Sequence, residues 1–280
     1  MTKTQRPLKR RVKDTRKRVS MNLKRIKGKA WAAFNPPATP SPAPEVLFAI
    51  PLVSRRRAPD WDRVEANLTQ TLHAIQAQTD GRWRAVICGQ DRPEGIPQDE
   101  RITFITSTVS DRFYDKGYKR RQLIDHFAAT TSGDGYYVQH DADDLLHPET
   151  VAYILRDNNG HGYFVEQGYC VQVSSGRIGK MDNFYIHCGT SSAVYVDFRR
   201  NKRHAALLKP LTSHSTVIAV CGFYGRILQA IPFRAACYMI DHGQNMFERR
   251  GKMQNKINVV DRNEITDPAK LAEIQKTFNL

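Results

Sequence analysis

Tyr136-Tyr137-Val138-Gln139-His140-Asp141-Ala142-Asp143-Asp144-Leu145-Leu146-His147-Pro148 decides how this chain is read. Tyr136 to Gln139 is β-prone, three carboxylates then fall within four residues, and Pro148-Glu149 suits the opening of a helix. The acids therefore stand at the C-terminal edge of a strand, where open α/β sheets bind their ligands. Carboxylates crowded this closely repel one another and favour a cation. A hard divalent ion held by one or two of them keeps positions open for phosphate oxygens. The plain alternative is an acidic turn that caps the next helix, and the neighbouring segments decide against it.

Outward from that stretch, strand and helix patterns alternate. Val46 to Val53 reads as a buried first strand, and Trp61, Val64, Leu68, Leu72 and Ile75 recur at helical spacing. Trp83 to Cys88 and Ile102 to Ile105 read as strands, and Lys119 to Ala129 as a helix. This order predicts an α/β domain with a mostly parallel sheet and helices on both faces. Beyond the acids, Tyr163 to Val173, Ser191 to Val196 and Cys237 to Ile240 are β-prone. Leu207 onward is helical with an interruption near Gly222, and a last helix runs near Pro268 to Phe278. Asn35 to Pro44 is proline-rich and reads as a polyproline-type spacer with no hydrogen-bonding partners of its own. The expected division is a basic tail at 1–34, the spacer at 35–44, a catalytic domain at 45–247 and an extension at 248–280 that wraps back or packs on a neighbour.

The formal charge of +15 is concentrated in the tail. Residues 1–30 hold thirteen Lys or Arg against one acid, Asp14, and the remainder of the chain is nearly balanced. Leu8, Val12, Val19, Leu23, Ile26 and Ala30 form an apolar stripe about 60° wide on a helical wheel, with Lys and Arg around it. Such a helix suits an anionic membrane surface, with Trp31 and Phe34 at the interface; a disordered basic arm is the alternative. Nucleic acid is not expected as a partner, because no aromatics interleave with the tail's cations and no recognised nucleic-acid module is present. The five cysteines are odd in number, widely spaced and without a CxxC pair, so they read as small buried side chains in a reducing compartment. No secretory apolar run and no membrane-span-length apolar run occurs, so the expected location is cytoplasmic, peripheral on the inner face of a membrane.

Three motifs together resemble the family 2 glycosyltransferases. Asn67 to Thr79, followed by Trp83 and a strand, is similar to that family's TL-x-SI-x-x-QT helix. Asp115-Lys116-Gly117-Tyr118-Lys119-Arg120 is similar to its DK-G-x-K stretch, and Asp141 to Pro148 to its DxD metal motif. The resemblance covers about residues 46–150. It thins beyond, where Cys188 to Ala193 and His242 to Asn245 are similar to later segments.

The resemblance implies a GT-A, Rossmann-like fold and metal-dependent, inverting transfer of a sugar from a nucleotide diphospho-sugar. The acceptor is a saccharide or a lipid-linked acceptor, in cell-surface polysaccharide or glycolipid synthesis. Mn²⁺ or Mg²⁺ is then held by Asp143 with Asp141 in support, to neutralise charge on the leaving diphosphate. His242 joins the metal or the diphosphate. Asp144 orients the loop or touches the donor ribose. The Pro51-Leu52-Val53 backbone and Asp91 are candidates for the nucleotide base, and Lys119 or Arg120 for a phosphate. The Glu-Asp pair that the family places after the Gly189 strand is missing here. His214 lies about where that pair would fall, and an ordinary histidine pKa of about 6.5 suits a general base. Asp197 is the other candidate.

Rival chemistries fit less well. A sugar-nucleotide pyrophosphorylase needs a Gly-rich phosphate loop after the first strand, where this chain has Pro51-Leu52-Val53-Ser54-Arg55-Arg56-Arg57. Phosphatases with an aspartyl nucleophile carry DxD on the first strand followed by Gly-Thr, whereas here it follows several strands and runs on as Asp-Leu-Leu. The non-enzymatic rival is a protein that binds a membrane surface or nucleic acid through its basic tail.

Overall fold

The computed structural model describes residues 8–199, 202–245, 248 and 250–280. Its strands are β1 (Glu45–Pro51), β2 (Trp83–Gly89), β3 (Ile102–Thr106), β4 (Asp134–Gln139), β5 (Leu145–Leu146), β6 (Gly162–Phe164), β7 (Gln167–Gln172), β8 (Arg177–Asp182), β9 (Ser192–Asp197), β10 (Gln229–Ala230) and β11 (Ala236–Ile240). The helices are α1 (Leu8–Phe34), α2 (Trp61–Gln76), α3 (Lys116–Thr130), α4 (Thr150–Asp157), α5 (Phe184–His187), α6 (Val217–Phe223), α7 (Gln254–Asn263) and α8 (Pro268–Phe278).

Seven strands form one sheet in the order β10-β6-β9-β4-β1-β2-β3. β4, β1, β2 and β3 run parallel, and β9 is antiparallel to both its neighbours. β1 is central and buried from Val46 to Pro51, the continuous apolar run of a strand covered on both faces. Phe48, Ile50 and Trp83 pack under α2 and α4, while Leu47, Ala49 and Val86 pack under α3 and α6. The Asp60 side chain caps α2 by accepting from the Arg63 backbone N–H, and Trp61, Val64, Leu68, Leu72 and Ile75 are its buried stripe. The expected α/β class, a mostly parallel sheet with helices on both faces, is what the chain forms.

A second sheet, β5-β11-β7-β8, lies beyond the acidic stretch. Tyr163 to Val173 is therefore two strands in two sheets. The Val165 and Glu166 carbonyls accept from the backbone of Tyr185 and Phe184 in α5, which ends the ladder of β6 before β7 begins. The helical run expected from Leu207 is reduced to 3₁₀ turns at 202–207 and 214–216 and the short α6, with Pro210 between them.

The spacer and tail differ from expectation. Ser41 donates to Asp134 at the start of β4 through its backbone N–H (2.7 Å), and its carbonyl accepts from the Asn158 side chain (2.9 Å). The segment is thus fastened to the domain, with hydrogen-bonding partners of its own. α1 lies across α6: Lys24 Nζ donates to the Pro210 carbonyl (2.7 Å), and the Trp31 ring stands 5.6 Å from that of Tyr224. The tail is a docked helix. Its inner face is Met21, Gly28 and Trp31, and the described residues of the apolar stripe, Val19, Leu23, Ile26 and Ala30, are exposed.

All five cysteines are free and buried. The extension wraps back, α7 against β8 and α8 through Phe278, whose ring meets His147 and Tyr169. The Asp267 side chain caps α8 by accepting from the Ala269 and Lys270 N–H groups, with Pro268 at its first turn. The expected boundary at residue 247 falls outside the described residues. Among those residues, no helix is long and apolar enough to cross a membrane.

Candidate active site

β1, β2 and β4 run parallel, so their C-terminal ends open on one edge of the sheet. Residues 52–53, 90–91 and 140–144 follow those strands there. The acidic loop joins the two sheets, leaving β4 in the large one and entering β5 in the small one. Gly189 makes that loop's position possible, because a Cβ on it would stand 2.4 Å from Asp141 Oδ2. The neighbouring Thr190 hydroxyl accepts from the Asp141 backbone N–H at 2.9 Å.

The three acids have three environments. Asp141 Oδ1 lies 2.8 Å from Lys116 Nζ and 3.6 Å from an Arg120 guanidinium nitrogen. Burial raises its pKa, but those two cations outweigh burial and hold it at about 2. Asp143 Oδ2 is 3.2 Å from His242 Nε2. His242 Nδ1 lies 3.2 Å from the Asn67 side-chain amide nitrogen and 3.4 Å from the Gln244 backbone nitrogen. Burial lowers the His242 pKa, and the Asp143 hydrogen bond and charge raise it further than burial lowers it.

Asp144 is fully buried. Its Oδ2 accepts from Cys188 Sγ (2.9 Å) and Thr190 Oγ1 (2.7 Å), and its carbonyl accepts from Thr71 Oγ1 (3.1 Å). Burial first, then the charges of Asp143 and Asp141, push its pKa well up. It orients the loop and has no surface with which to touch a ribose.

Other expected site residues divide in the same way. Lys119 is buried, donating to the Leu52 carbonyl (2.6 Å) and pairing with Asp115 (2.8 Å), so it holds the end of β1 and is not open to a phosphate. Leu52 is committed too, because its N–H donates to the Cys88 carbonyl. Pro51 is buried in β1, whereas Val53 is half-buried at the cleft. Asp91, also half-buried, accepts from the Arg55 backbone N–H at 2.8 Å. Asp197 stands opposite Asp134 in the pairing of β9 with β4, at the far edge of the sheet from the acidic loop. It is fully buried and gripped by Arg199 at 2.9 and 2.8 Å. The antiparallel course of β9 carries it away from the cleft, so it is no base for chemistry there.

His214 lies on the cleft side. Its Nδ1 is 3.1 Å from the Tyr185 carbonyl, which can only accept, so Nδ1 carries the proton and Nε2 presents a lone pair. Burial lowers its pKa, and the Asp141 carboxylate is near enough to act on it in the opposite sense. Lys116 and Lys256 were not among the expected residues. Lys116 stands in the DK-G-x-K stretch, which marked it. Lys256 comes from α7, is buried against the Tyr238 ring, donates to the His187 carbonyl (3.3 Å), and had no signal in the sequence.

Among the described residues, no group of three or more His, Cys, Asp or Glu side chains is gathered as a metal site. Asp143 and His242 do fit as a pair: neighbouring ligands of an octahedral ion lie about 3 Å apart when each bond is about 2.1 Å. Their oxygen and nitrogen are 3.2 Å apart. Asp141 is turned to its cations instead.

No protein-family model matches the chain, and no curated protein matches its sequence. Among solved structures it is similar to a crystal structure of 4-diphosphocytidyl-2C-methyl-D-erythritol synthase, at 12% sequence identity and a TM-score of 0.39, over 76% of this chain and 98% of that one. A likeness of that degree assigns no activity to this chain.

Proposed function

We propose that this chain is a glycosyltransferase that moves a sugar from a nucleotide diphospho-sugar to a hydroxyl of a saccharide or lipid-linked acceptor, with Mn²⁺ or Mg²⁺. The observation that carries the reading is the pairing of Asp143 with His242 beside Asp141, Lys116 and Arg120, on the sheet edge where strands end. A ligand pair for a divalent ion, from the acidic loop and the turn after β11, stands beside two cations for phosphate oxygens on α3.

Asp143 and His242 hold the ion, which when bound supplies Lewis acidity toward the diphosphate. Lys116 and Arg120 meet the negative charge that grows on the leaving diphosphate. Val53 and Asp91 border the same edge and take the nucleoside. The acceptor oxygen attacks the anomeric carbon as the bond to the diphosphate breaks, and its proton passes to His214 Nε2. A pocket of about 260 Å³ lined by Tyr114, Tyr118, Arg120 and Gln139 offers ring faces and hydrogen-bonding groups to an acceptor sugar.

The test is nucleotide release from UDP, GDP, dTDP and CMP sugars in the presence of Mn²⁺ and a panel of saccharide acceptors. Release of UDP, GDP or dTDP from one donor class, lost in Asp143→Asn, is the expected result. Neither binding nor release with any donor would leave the non-catalytic surface-binding reading in its place.

A further inference from the structure

α1 has two apolar faces, and the fold uses one. A Cβ on Gly28 would stand 2.8 Å from the Tyr224 ring, and Trp31 packs between Tyr224 and His204, so this side is closed against the domain. On the opposite side of the helical wheel, Val19, Leu23 and Ile26 are 53%, 52% and 64% exposed, and Ala30 is exposed in line with them. The side chains of Leu8 and Val12, which prolong the stripe, lie outside the described residues. A row of large aliphatic side chains on a surface marks a contact face. Arg16 and Lys27 border the row on one side, Arg18 and Lys29 on the other, and all four are exposed.

Beside the row runs a groove of about 560 Å³, walled by Val19 and Leu23 on one side and Pro210 and Tyr224 on the other. Arg16, Lys24, Lys27 and Lys209 line it, and among the described residues no acidic one does. Charge complementarity selects the occupant. An apolar stripe between cations matches a surface with anionic headgroups over an apolar interior. Nucleic acid would satisfy the cations and leave Val19, Leu23 and Ile26 in water.

We propose that the outer face of α1 seats the protein on an anionic lipid surface, with Val19, Leu23 and Ile26 at the headgroup–acyl boundary and the groove over an acidic headgroup. The inner face fixes the orientation. Lys24 donates to the Pro210 carbonyl and to Thr212 Oγ1 (3.0 Å), and Gln139 donates to the Leu211 carbonyl (3.0 Å). The segment leading to His214 is thereby fastened between the docking helix and the end of β4. Docking therefore holds the cleft at a set angle to the lipid. The inference stands apart from sugar transfer, since lipid binding is read without donor or acceptor.

The experiment is co-sedimentation of the full chain with vesicles of phosphatidylglycerol mixed with phosphatidylcholine, and of phosphatidylcholine alone. Wild type is expected to pellet with the anionic vesicles only, and less so as salt rises. The triple variant Val19→Asp, Leu23→Asp, Ile26→Asp changes exposed positions, and its melting temperature should match wild type while its lipid affinity falls by about tenfold or more. Arg16→Ser with Lys27→Ser should weaken binding and flatten its salt dependence. Wild type left in the supernatant at low salt would overturn the proposal. So would a triple variant that pellets like wild type, or binding of duplex DNA by both proteins with no binding of vesicles.

Discussion

Asp143 and Asp144 are adjacent in sequence and opposite in circumstance. Asp143 faces His242 at the cleft, and Asp144 is sealed under Cys188 and Thr190. Asp143→Asn is expected to abolish transfer and metal-dependent donor binding, because the amide keeps the shape and loses the charge the cation needs. Asp144→Asn keeps an acceptor oxygen for its two donors and should be mild. Asp144→Ala leaves them unpaired, at about 1–3 kcal/mol read as a lower melting temperature. His214→Ala should lower turnover by about 10²-fold or more with donor affinity intact, the usual scale for loss of a general base. Burial lowers the His214 pKa, so the base stays neutral down to a pH below the ordinary histidine range. The acid limb of the turnover profile is expected in that lower range, with activity lost as pH falls through it. Asp197→Ala should lower the melting temperature by freeing Arg199 and leave turnover per folded molecule unchanged. Equal damage to turnover from Asp197→Ala, with His214→Ala silent, would return the base to the carboxylate.

At the scale of elements, two glycines set where things lie. Gly189→Ala would drive a Cβ to 2.4 Å from Asp141, so the acidic loop must shift. A stability loss of about 1–3 kcal/mol with weakened donor binding is expected, measured by denaturant melts and calorimetry. Gly28→Leu should pry α1 off α6, detected as new cleavage within residues 8–44 under limited proteolysis. Which elements were legible follows from their physics. β1, α2, β2 and α8 announce themselves by long apolar runs, helical spacing or a capping Asp-Pro, all local signals. In the small sheet β7 and β11 are β-prone in sequence, but β5 has two residues and β8 (Arg177–Asp182) is strongly polar, so neither of these two has a pattern to read. The spacer's attachment rests on Ser41 meeting Asp134, a contact that no local pattern encodes.

At the scale of the molecule, the candidate site draws on the C-terminal edge of the large sheet, on α3 and on the turn after β11 of the small sheet. Residue type and motif spacing mark the acids, His214 and His242 in the sequence, and the fold brings Asp143 and His242 within 3.2 Å of each other. Lys119 and Asp197 do not face the cleft, because spacing does not reveal whether a charge is buried, nor which way β9 runs. The charge of the tail was legible and its attachment was not: a stripe on a helical wheel shows an apolar face without saying whether water, lipid or the core meets it. That a metal-assisted diphosphate site lies at this edge is the central claim. It is tested most directly by calorimetric titration of UDP, GDP, dTDP and CMP sugars into wild type and Asp143→Asn, with and without Mn²⁺. The expected result is one diphospho-sugar donor class that binds wild type only with Mn²⁺ and fails to bind Asp143→Asn under either condition, with no binding of CMP sugars. Donor binding that is indifferent to both Mn²⁺ and the substitution would contradict it.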